Sequence, residues 1–490
     1  MSSFDRFKDL NFTPLDRYKR QGKVLRGAFA DLPNMRNRSW LNQALPEMIW
    51  VALIRNQLDL YAFTDAFRSV AYNFARHGIT DATLTGISKL PGDKKAVAIY
   101  ALTSSVFLRK TLRPLLLFGE YLPDFKLWSG AIDMPVDYQE DAAILAETVA
   151  KTIDHQSQES TDCRWFRVMP LILGNKIYMP TEMREDILSY PIVADMRKTR
   201  PSIRSLEIAC DNINGDNASP SQWCDDFWTI NLESTGCLVP RPSLEGDKYS
   251  PEDYDDFITH QRKKLAYIRQ VYEEHLPNIK LDVLTGAGLF ALKILEELKD
   301  SPATSGILGR SAARTLTELV ININYLTKKN EVETWNNFYF HGQGEAKKIF
   351  LKYMRQHDKP AFIELADIWV IANEARYMDF LDINLGDWDD ANLRNRAIEA
   401  GLKNFYDTYY DWPSNYTHGT WAAIRREVYT PCQNPLHKFH LLPASDEPND
   451  YGSVMSDALY LTKFILANVY EVYSDFEFHK LLQAGPVTAK

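Results

Sequence analysis

Residues 310–326 read RSAARTLTELVININYL, and this stretch decides the fold because its polar and apolar positions alternate with the period of an α-helix. Four polar residues recur every four positions, at Arg310, Arg314, Glu318 and Asn322, which places them on one slowly drifting stripe. The neighbouring face is apolar and consists of Leu316, Leu319, Val320, Ile323 and Leu326. The pattern predicts one long amphipathic helix from about Thr304 to Lys328.

The same helical period extends over most of the chain, starting with residues 40–60. Loop-forming residues interrupt it at 211–220 and again at 240–246. The sequence therefore predicts an all-α protein of two helical domains, at residues 1–210 and 251–490, with a loop-rich connector at 211–250. Trp223 and Trp228 predict that this connector is packed and not a free tether. Its one candidate strand is Asn231–Val239.

Composition excludes several classes of protein. The chain has 490 residues, 45% of them apolar and 25% charged, as in ordinary globular proteins, and a net charge of −9 that opposes nonspecific coating of DNA. No apolar run approaches the roughly 20 residues of a membrane span, and no secretory leader is recognisable. The five cysteines are odd in number and form no C-x-x-C pair, which disfavours a disulfide framework or a zinc ribbon. We expect a cytoplasmic protein without membrane contact.

The familiar cofactor motifs are missing from the sequence, including the phosphate-binding P-loop, the G-x-S-x-G elbow and H-E-x-x-H. His437 and His440 offer two imidazoles, but few carboxylates lie near them in the sequence. We therefore predict neither a cofactor nor a metal ion.

Polar side chains are concentrated in residues 412–421, which read WPSNYTHGTW. We predict one helix from Pro413, which suits a first helical turn, to about Val428, with Ser414 as its N-cap. His418 is the candidate general acid or base because its pKa lies near neutrality. On such a helix Arg425 returns to the face of His418.

The remaining candidate residues each have a structural alternative. His418 could instead pack between Trp412 and Trp421 and bond a backbone carbonyl. The polar stripe could be the solvent face of its helix, or it could line an interior cleft in which arginine and glutamate pair. Arg269 and His275 fit a loose R-x(4–6)-H ribonuclease pattern, and they also suit an ordinary charged helix.

Taken together, the 310–326 helix, the Lys347-Lys348 pair and the segment SNYTHG at 414–419 resemble a domain-of-unknown-function family of bacterial and archaeal helical proteins. The resemblance covers roughly Pro251 to Leu442, and the family looks similar to HEPN-type helical bundles. It implies a HEPN-like bundle in the C-terminal domain. Bundles of that type frequently dimerise and serve in stress or anti-phage defence.

Two functional hypotheses follow, and the sequence leaves open whether the protein is an enzyme. The first is a noncatalytic sensor, adaptor or effector in stress or anti-phage defence, which binds a protein partner or a nucleotide and forms a homodimer. The second is a metal-independent HEPN-like ribonuclease that acts on RNA. In that mechanism His418 transfers the proton and Arg310, Arg314 or Arg425 binds the phosphate. Glu318 orients these groups, and Tyr416 hydrogen-bonds ribose or phosphate.

Overall fold

A computed structural model describes residues 19–26, 39–194, 196–213, 221–239, 251–273, 278–356, 359–376, 386–444 and 452–473. Helices dominate these ranges, and the strands found there form two short pairs, which confirms the all-α class. None of the helices in these ranges has the length and apolarity needed to cross a bilayer.

The chain divides into two compact units. Unit 1 comprises Met1–Pro240 and Pro431–Leu442, and unit 2 comprises Arg241–Thr430 and Pro443–Lys490. The chain thus leaves unit 1, forms most of unit 2 and returns to unit 1 for a short segment. The boundaries of the predicted N-terminal domain, connector and C-terminal domain remain a prediction.

Unit 1 is built mainly from helices. It begins with the hairpin β1 (Lys19–Gln21) and β2 (Val24–Arg26) and a π-helical turn at Trp40–Ala44, and a 3-10 helix lies at Arg113–Tyr121. Its α-helices are α1 (Leu45–Glu47), α2 (Ile49–Gln57), α3 (Leu60–Arg76), α4 (Leu84–Ser88), α5 (Gly92–Thr103), α6 (Val106–Leu112), α7 (Phe125–Ile132), α8 (Tyr138–Thr152), α9 (Gln158–Leu173), α10 (Thr181–Ser189), α11 (Met196–Ile213) and α12 (Gln222–Ser234).

The core of unit 1 surrounds α9, which packs against α2, α3 and α11. Ser157 caps α9 by accepting a hydrogen bond from the Ser160 N–H. Phe166 of α9 lies edge-on to Trp50 with ring centroids 5.0 Å apart, and it also packs against Phe67. Truncating a fully buried ring of this kind costs about 3–5 kcal/mol of stability.

Unit 2 contains the helix that the sequence predicted most clearly. Its α-helices are α13 (Pro251–Tyr272), α14 (Ile279–Lys299), α15 (Ile307–Lys329), α16 (Val332–Met354), α17 (Leu365–Ala372), α18 (Leu393–Ala400), α19 (Lys403–Tyr409), α20 (Asp411–Thr417), α21 (Trp421–Val428) and α22 (Met455–Val472). A 3-10 helix at Pro302–Ser305 precedes α15. The apolar face of α15 packs against α14 and α22, as its period predicts.

Residues 221–239 of the predicted connector and the returning segment at 431–442 are described by the structure. The strand predicted at Asn231–Val239 is wrong, because residues 231–234 belong to α12, where the Asn231 amide donates to the Phe227 carbonyl at 2.8 Å, and residues 235–239 form no strand. Trp223 and Trp228 are buried, which confirms a packed connector. Strands β3 (Tyr429–Pro431) and β4 (Leu441–Pro443) form a two-stranded sheet, with a 3-10 helix at Pro435–His437 between them.

Candidate functional site

The polar stripe of α15 faces other helices of unit 2 and not solvent, because α15 packs against α18, α19 and α20 along this side. Arg310 is buried, and the Arg314 side chain is 15% exposed. The Asn322 carbonyl oxygen accepts a hydrogen bond from Arg396 at 3.3 Å. These contacts agree with the interior alternative for the stripe.

Arg310 is held at the start of α15. Its Nη1 donates to the backbone carbonyls of Ser305 and Gly306, the latter at 3.2 Å. The guanidinium also lies over the ring of Tyr416, with its central carbon 5.2 Å from the ring centroid. Arg310 therefore joins the N-terminal turn of α15 to α20.

Arg314 makes a second link, between α15 and α19–α20. It pairs with Glu318 one turn later at 2.8 Å, and its Nη2 donates to the Tyr410 hydroxyl at 3.2 Å. Burial opposes the charge of Arg314, but the bond to Tyr410 and the carboxylate of Glu318 outweigh it and raise its pKa. The guanidinium is thus charged and already engaged by groups of the protein.

Tyr416 is buried beneath this cluster. Its ring packs edge-on against Trp412, with centroids 6.0 Å apart. Burial raises the pKa of Tyr416, and the nearby negative charge of Glu427 adds to the rise, although Arg426 and Arg310 oppose it. Tyr416 is therefore a neutral phenol near pH 7.

The helix predicted from Pro413 to Val428 is wrong, because α20 ends at Thr417 and α21 begins at Trp421. Gly419 has a φ of +57°, the left-handed conformation that ends helices. Ser414 lies inside α20 and is not its N-cap, which is Tyr410. Pro413 does fall in the first turn, as its missing N–H requires.

The helix break changes the surroundings of His418. The residue is exposed and caps the end of α20, whereas Arg425 is half-buried on α21, so the predicted common face does not exist. Within the described ranges, the His418 ring makes no hydrogen bond or ion pair with Arg310, Arg314 or Glu318. The structure therefore joins the two arginines to tyrosines, pairs Glu318 with Arg314 and leaves His418 at the surface.

An exposed aromatic surface surrounds this turn. Trp412 and Trp421 are 44% and 61% exposed, and Ile424 on the same helix as Trp421 is 43% exposed. The guanidinium of Arg426 lies over the Trp412 ring at 5.4 Å. We call Trp412, His418, Trp421 and Ile424 the tryptophan surface.

The second arginine–histidine candidate has a structural role at its arginine. Arg269 donates to Asp282 at 2.8 Å and to the Thr285 hydroxyl at 3.2 Å, which joins α13 to α14. His275 lies outside the described residues.

Unit 1 contains a cavity of about 390 Å³, which is large enough for a small ligand. Trp40, His155, Arg164 and Arg204 are among its lining residues. Arg164 lies over the Trp40 ring at 4.5 Å. Burial lowers the pKa of His155, as do the positive charges of Arg164 and Arg204, against the pull of Asp154. Arg164 also pairs with Glu207, with Nη1 3.4 Å from Oε2.

A further cluster escaped the sequence reasoning. Cys237, Cys432, His437 and His440 each turn one sulfur or nitrogen atom toward a common point, and these atoms all lie within 4.8 Å of one another. All four residues belong to unit 1. The available signal was the His437–His440 pair, but Cys237 and His437 are 200 residues apart, so neighbouring sequence could not complete the set.

Fold and site together define an all-α protein with a polar helix-packing cluster in unit 2 and a Cys/His cluster in unit 1. Residues 309–434 match the model of a family described as "Family of unknown function (DUF5677)", so this part of the chain is similar to that family. No curated protein and no solved structure shows a significant match. The match includes α15 and the turn at His418, the two segments on which the resemblance rested.

Proposed function

We propose that the protein is a noncatalytic helical sensor or adaptor. The observation that carries this proposal is the engagement of Arg310, Arg314 and Glu318 in helix packing. A phosphate clamp needs cations that are free to meet the substrate. These cations already contact carbonyls, a carboxylate and tyrosine rings, and His418 stands apart from them.

A sensor needs a ligand site, and the cavity of unit 1 provides one. Arg164 and Arg204 give its lining positive charge, although Arg164 also pairs with Glu207 at 3.4 Å, and the indole of Trp40 offers a flat apolar wall. A small nucleotide or a related aromatic phosphate carries both a negative charge and a flat ring. We therefore assign this chemistry to the ligand that the protein detects.

An adaptor needs a contact surface, and the tryptophan surface of unit 2 provides it. Exposed tryptophan with arginine nearby is the composition that dominates binding energy at protein interfaces. Trp412 and Trp421 are the anchors that we assign to a protein partner. The resemblance to HEPN-type bundles supports placing this adaptor in bacterial stress or anti-phage defence.

Thermal unfolding in the presence of anions tests the sensor role. We expect pyrophosphate, AMP and ATP to raise the melting temperature, since a ligand at 100 times its Kd adds about 2.7 kcal/mol to stability. His155→Glu adds a negative charge at an exposed side chain of the cavity and is expected to reduce the shift. Arg68→Gln, which lies on α3 outside the cavity lining, is the matched control. Equal shifts in all three proteins would contradict the ligand site.

The second candidate is the metal-independent ribonuclease, and the exposure of His418 favours it because substrate could reach the ring. Cleavage of labelled single-stranded RNA distinguishes the two functions. We expect no cleavage that depends on His418. Cleavage by the wild-type protein that His418→Ala abolishes at an unchanged melting temperature would support the ribonuclease and contradict the adaptor.

A further inference from the structure

The returning segment of unit 1 and the end of α12 form a cluster with the composition of a tetrahedral metal site. Cys237 lies just after α12, Cys432 follows β3, and His437 and His440 lie on either side of a tight turn. We propose that Cys237, Cys432, His437 and His440 bind one structural Zn²⁺ ion. The proposal is independent of the sensor function.

The distances within the cluster match a metal site. Cys237 Sγ lies 3.5 Å from His437 Nδ1 and 3.3 Å from His440 Nε2, and Cys432 Sγ lies 3.5 Å from His437 Nδ1. Tetrahedral zinc with Zn–S bonds of about 2.3 Å and Zn–N bonds of about 2.0–2.1 Å places sulfur and nitrogen about 3.5 Å apart. These three pairs therefore already have the spacing of ligands of one ion, and all four atoms lie within 4.8 Å of one another.

The chemistry of the four atoms selects zinc. Two thiolates and two imidazoles form the Cys₂His₂ set typical of structural zinc, and the two thiolate charges neutralise the dication without a carboxylate. Hard cations such as Mg²⁺ and Ca²⁺ prefer oxygen ligands. Four protein ligands also leave no open position for a reacting water, so the ion is structural.

A second layer of contacts orients His437. Its Nε2 lies 2.9 Å from the Thr235 hydroxyl and 3.2 Å from the Thr235 carbonyl. The Thr235 hydroxyl donates to the Asn231 carbonyl at 2.7 Å, so it accepts from Nε2, and this leaves the Nδ1 lone pair directed at the cluster. Metal-bound histidines nearly always make such a bond with their second nitrogen.

The backbone is shaped to present the ligands. Lys438 and Phe439 have φ values of 51° and 53°, a conformation that costs energy in residues other than glycine and persists where the surroundings enforce it. The turn brings His440 back so that its carbonyl accepts from the Cys432 N–H at 2.9 Å. Gln433 N–H also donates to the Leu238 carbonyl at 2.7 Å, which fixes the segment beside Cys237.

Burial is consistent with a structural ion that enters from one side. Cys432 and His437 are 0% and 3% exposed, whereas Cys237 is exposed and His440 is half-buried. Leu436, between the ligands, lies in the core of unit 1. Zinc at this point would therefore fasten residues 431–442 to the end of α12.

Metal analysis of the full chain, purified under reducing conditions, tests the proposal. We expect one zinc per chain. After removal by a chelator, Co²⁺ should restore binding with the visible bands of tetrahedral cobalt and a near-ultraviolet thiolate-to-cobalt charge-transfer band. Failure to bind either metal while all five thiols titrate as free would overturn the site. So would a Cys237–Cys432 disulfide as the form that persists in reducing buffer.

Variants identify the ligands. Cys237→Ala and His440→Asn change the two more exposed ligands. Cys237→Ala should lose the charge-transfer intensity of one sulfur, and His440→Asn should lose the tetrahedral cobalt spectrum. Cys224→Ser is the matched control, because this buried cysteine outside the cluster already has polar neighbours, the Ser221 hydroxyl and the Gln43 carbonyl, each at 3.3 Å. Thr235→Val should weaken zinc about 10- to 100-fold, the typical effect of an outer partner. Wild-type affinity and spectra in both ligand variants would contradict the assignment.

Discussion

The two polar clusters of this protein differ in how their side chains are satisfied. In unit 2, Arg310 and Arg314 meet carbonyl oxygens, the Glu318 carboxylate and tyrosine rings, so both guanidinium groups have partners within the chain, although the buried Arg314 Nε makes no hydrogen bond. In unit 1, two sulfurs and two imidazole nitrogens converge at distances of 3.3–3.5 Å, and thiols are weak donors.

This difference separates a cluster whose cations already have partners within the chain from a cluster whose facing lone pairs favour a bound cation. Opposite charges and matched hydrogen bonds neutralise one another, and adding a phosphate to such a cluster would require breaking them. Several lone pairs that face one point are stabilised best by a cation. We therefore place packing at the α15 stripe and ion binding at the Cys/His cluster.

Metal removal is the change with the largest expected effect. Structural zinc contributes about 10–16 kcal/mol in small zinc peptides, and a unit with its own hydrophobic core should lose only part of this. We expect a chelator to lower the melting temperature of the wild-type protein by many degrees and to leave that of Cys432→Ser unchanged. The measurement is thermal unfolding by circular dichroism, followed by recovery with added Zn²⁺.

Arg310→Met removes one cation of the unit 2 cluster. It should lower the free energy of unfolding by about 2–4 kcal/mol, because two carbonyl contacts and the contact with Tyr416 are lost at a buried position. Chemical denaturation measures the loss. Arg425→Met, at the half-buried candidate on α21, is the control and should change stability by about 0.5 kcal/mol or less. A similar loss in both variants would mean that Arg310 has no special role in packing.

A pH titration sharpens the comparison, because unit 1 has a pH dependence of its own. Burial raises the pKa of Asp162 to about 6, although Arg55 and Tyr190 hydrogen-bond to its carboxylate. The pKa of Asp162 in the folded protein exceeds its unfolded value of about 3.9. The stability that protonated Asp162 contributes is therefore present below pH 4 and is lost as pH rises to 6.

The contribution of Asp162 to the free energy of unfolding should fall by roughly 2–3 kcal/mol between pH 4 and pH 6. A metal site has the opposite sign, since its histidines and cysteines must lose protons to bind. Between pH 4 and pH 6, chelator-treated wild-type protein should therefore lose stability relative to Asp162→Asn by this amount, since carboxylates with a lowered pKa, such as Glu147 and Glu296, act alike in both proteins. An unchanged slope in Asp162→Asn would remove Asp162 from the explanation.

How much the sequence could predict depends on the distance over which each signal acts. The period of residues 310–326 fixed α15 because hydrophobic spacing is local to one helix. The sequence also contains the signal that ends α20. The pair His77-Gly78 ends α3, with Gly78 at a φ of +66°, and His418-Gly419 repeats this pair at the end of α20, with Gly419 at +57°. The tryptophans and apolar residues around His418 favoured a continuous helix and masked it.

Other features depend on contacts that no local pattern records. Arg314 is one candidate for binding phosphate in the ribonuclease hypothesis, and its hydrogen bond with Tyr410, 96 residues later in the sequence, follows from no local pattern. The Cys/His cluster joins residues about 200 positions apart, and the absence of a C-x-x-C pair argued against it. Spacing rules identify zinc sites in which ligands arrive as close pairs, and here only the histidines do.

His418→Ala is expected to have the smallest effect on stability, within about 0.5 kcal/mol, because the ring is exposed and no described side chain pairs with it. Trp421→Ala should be nearly as mild for the same reason, at 61% exposure. The two variants differ in what they report. Loss of RNA cleavage in the first would restore the catalytic interpretation of unit 2, whereas loss of partner binding in the second, with folding intact, would establish the tryptophan surface as the working part of an adaptor.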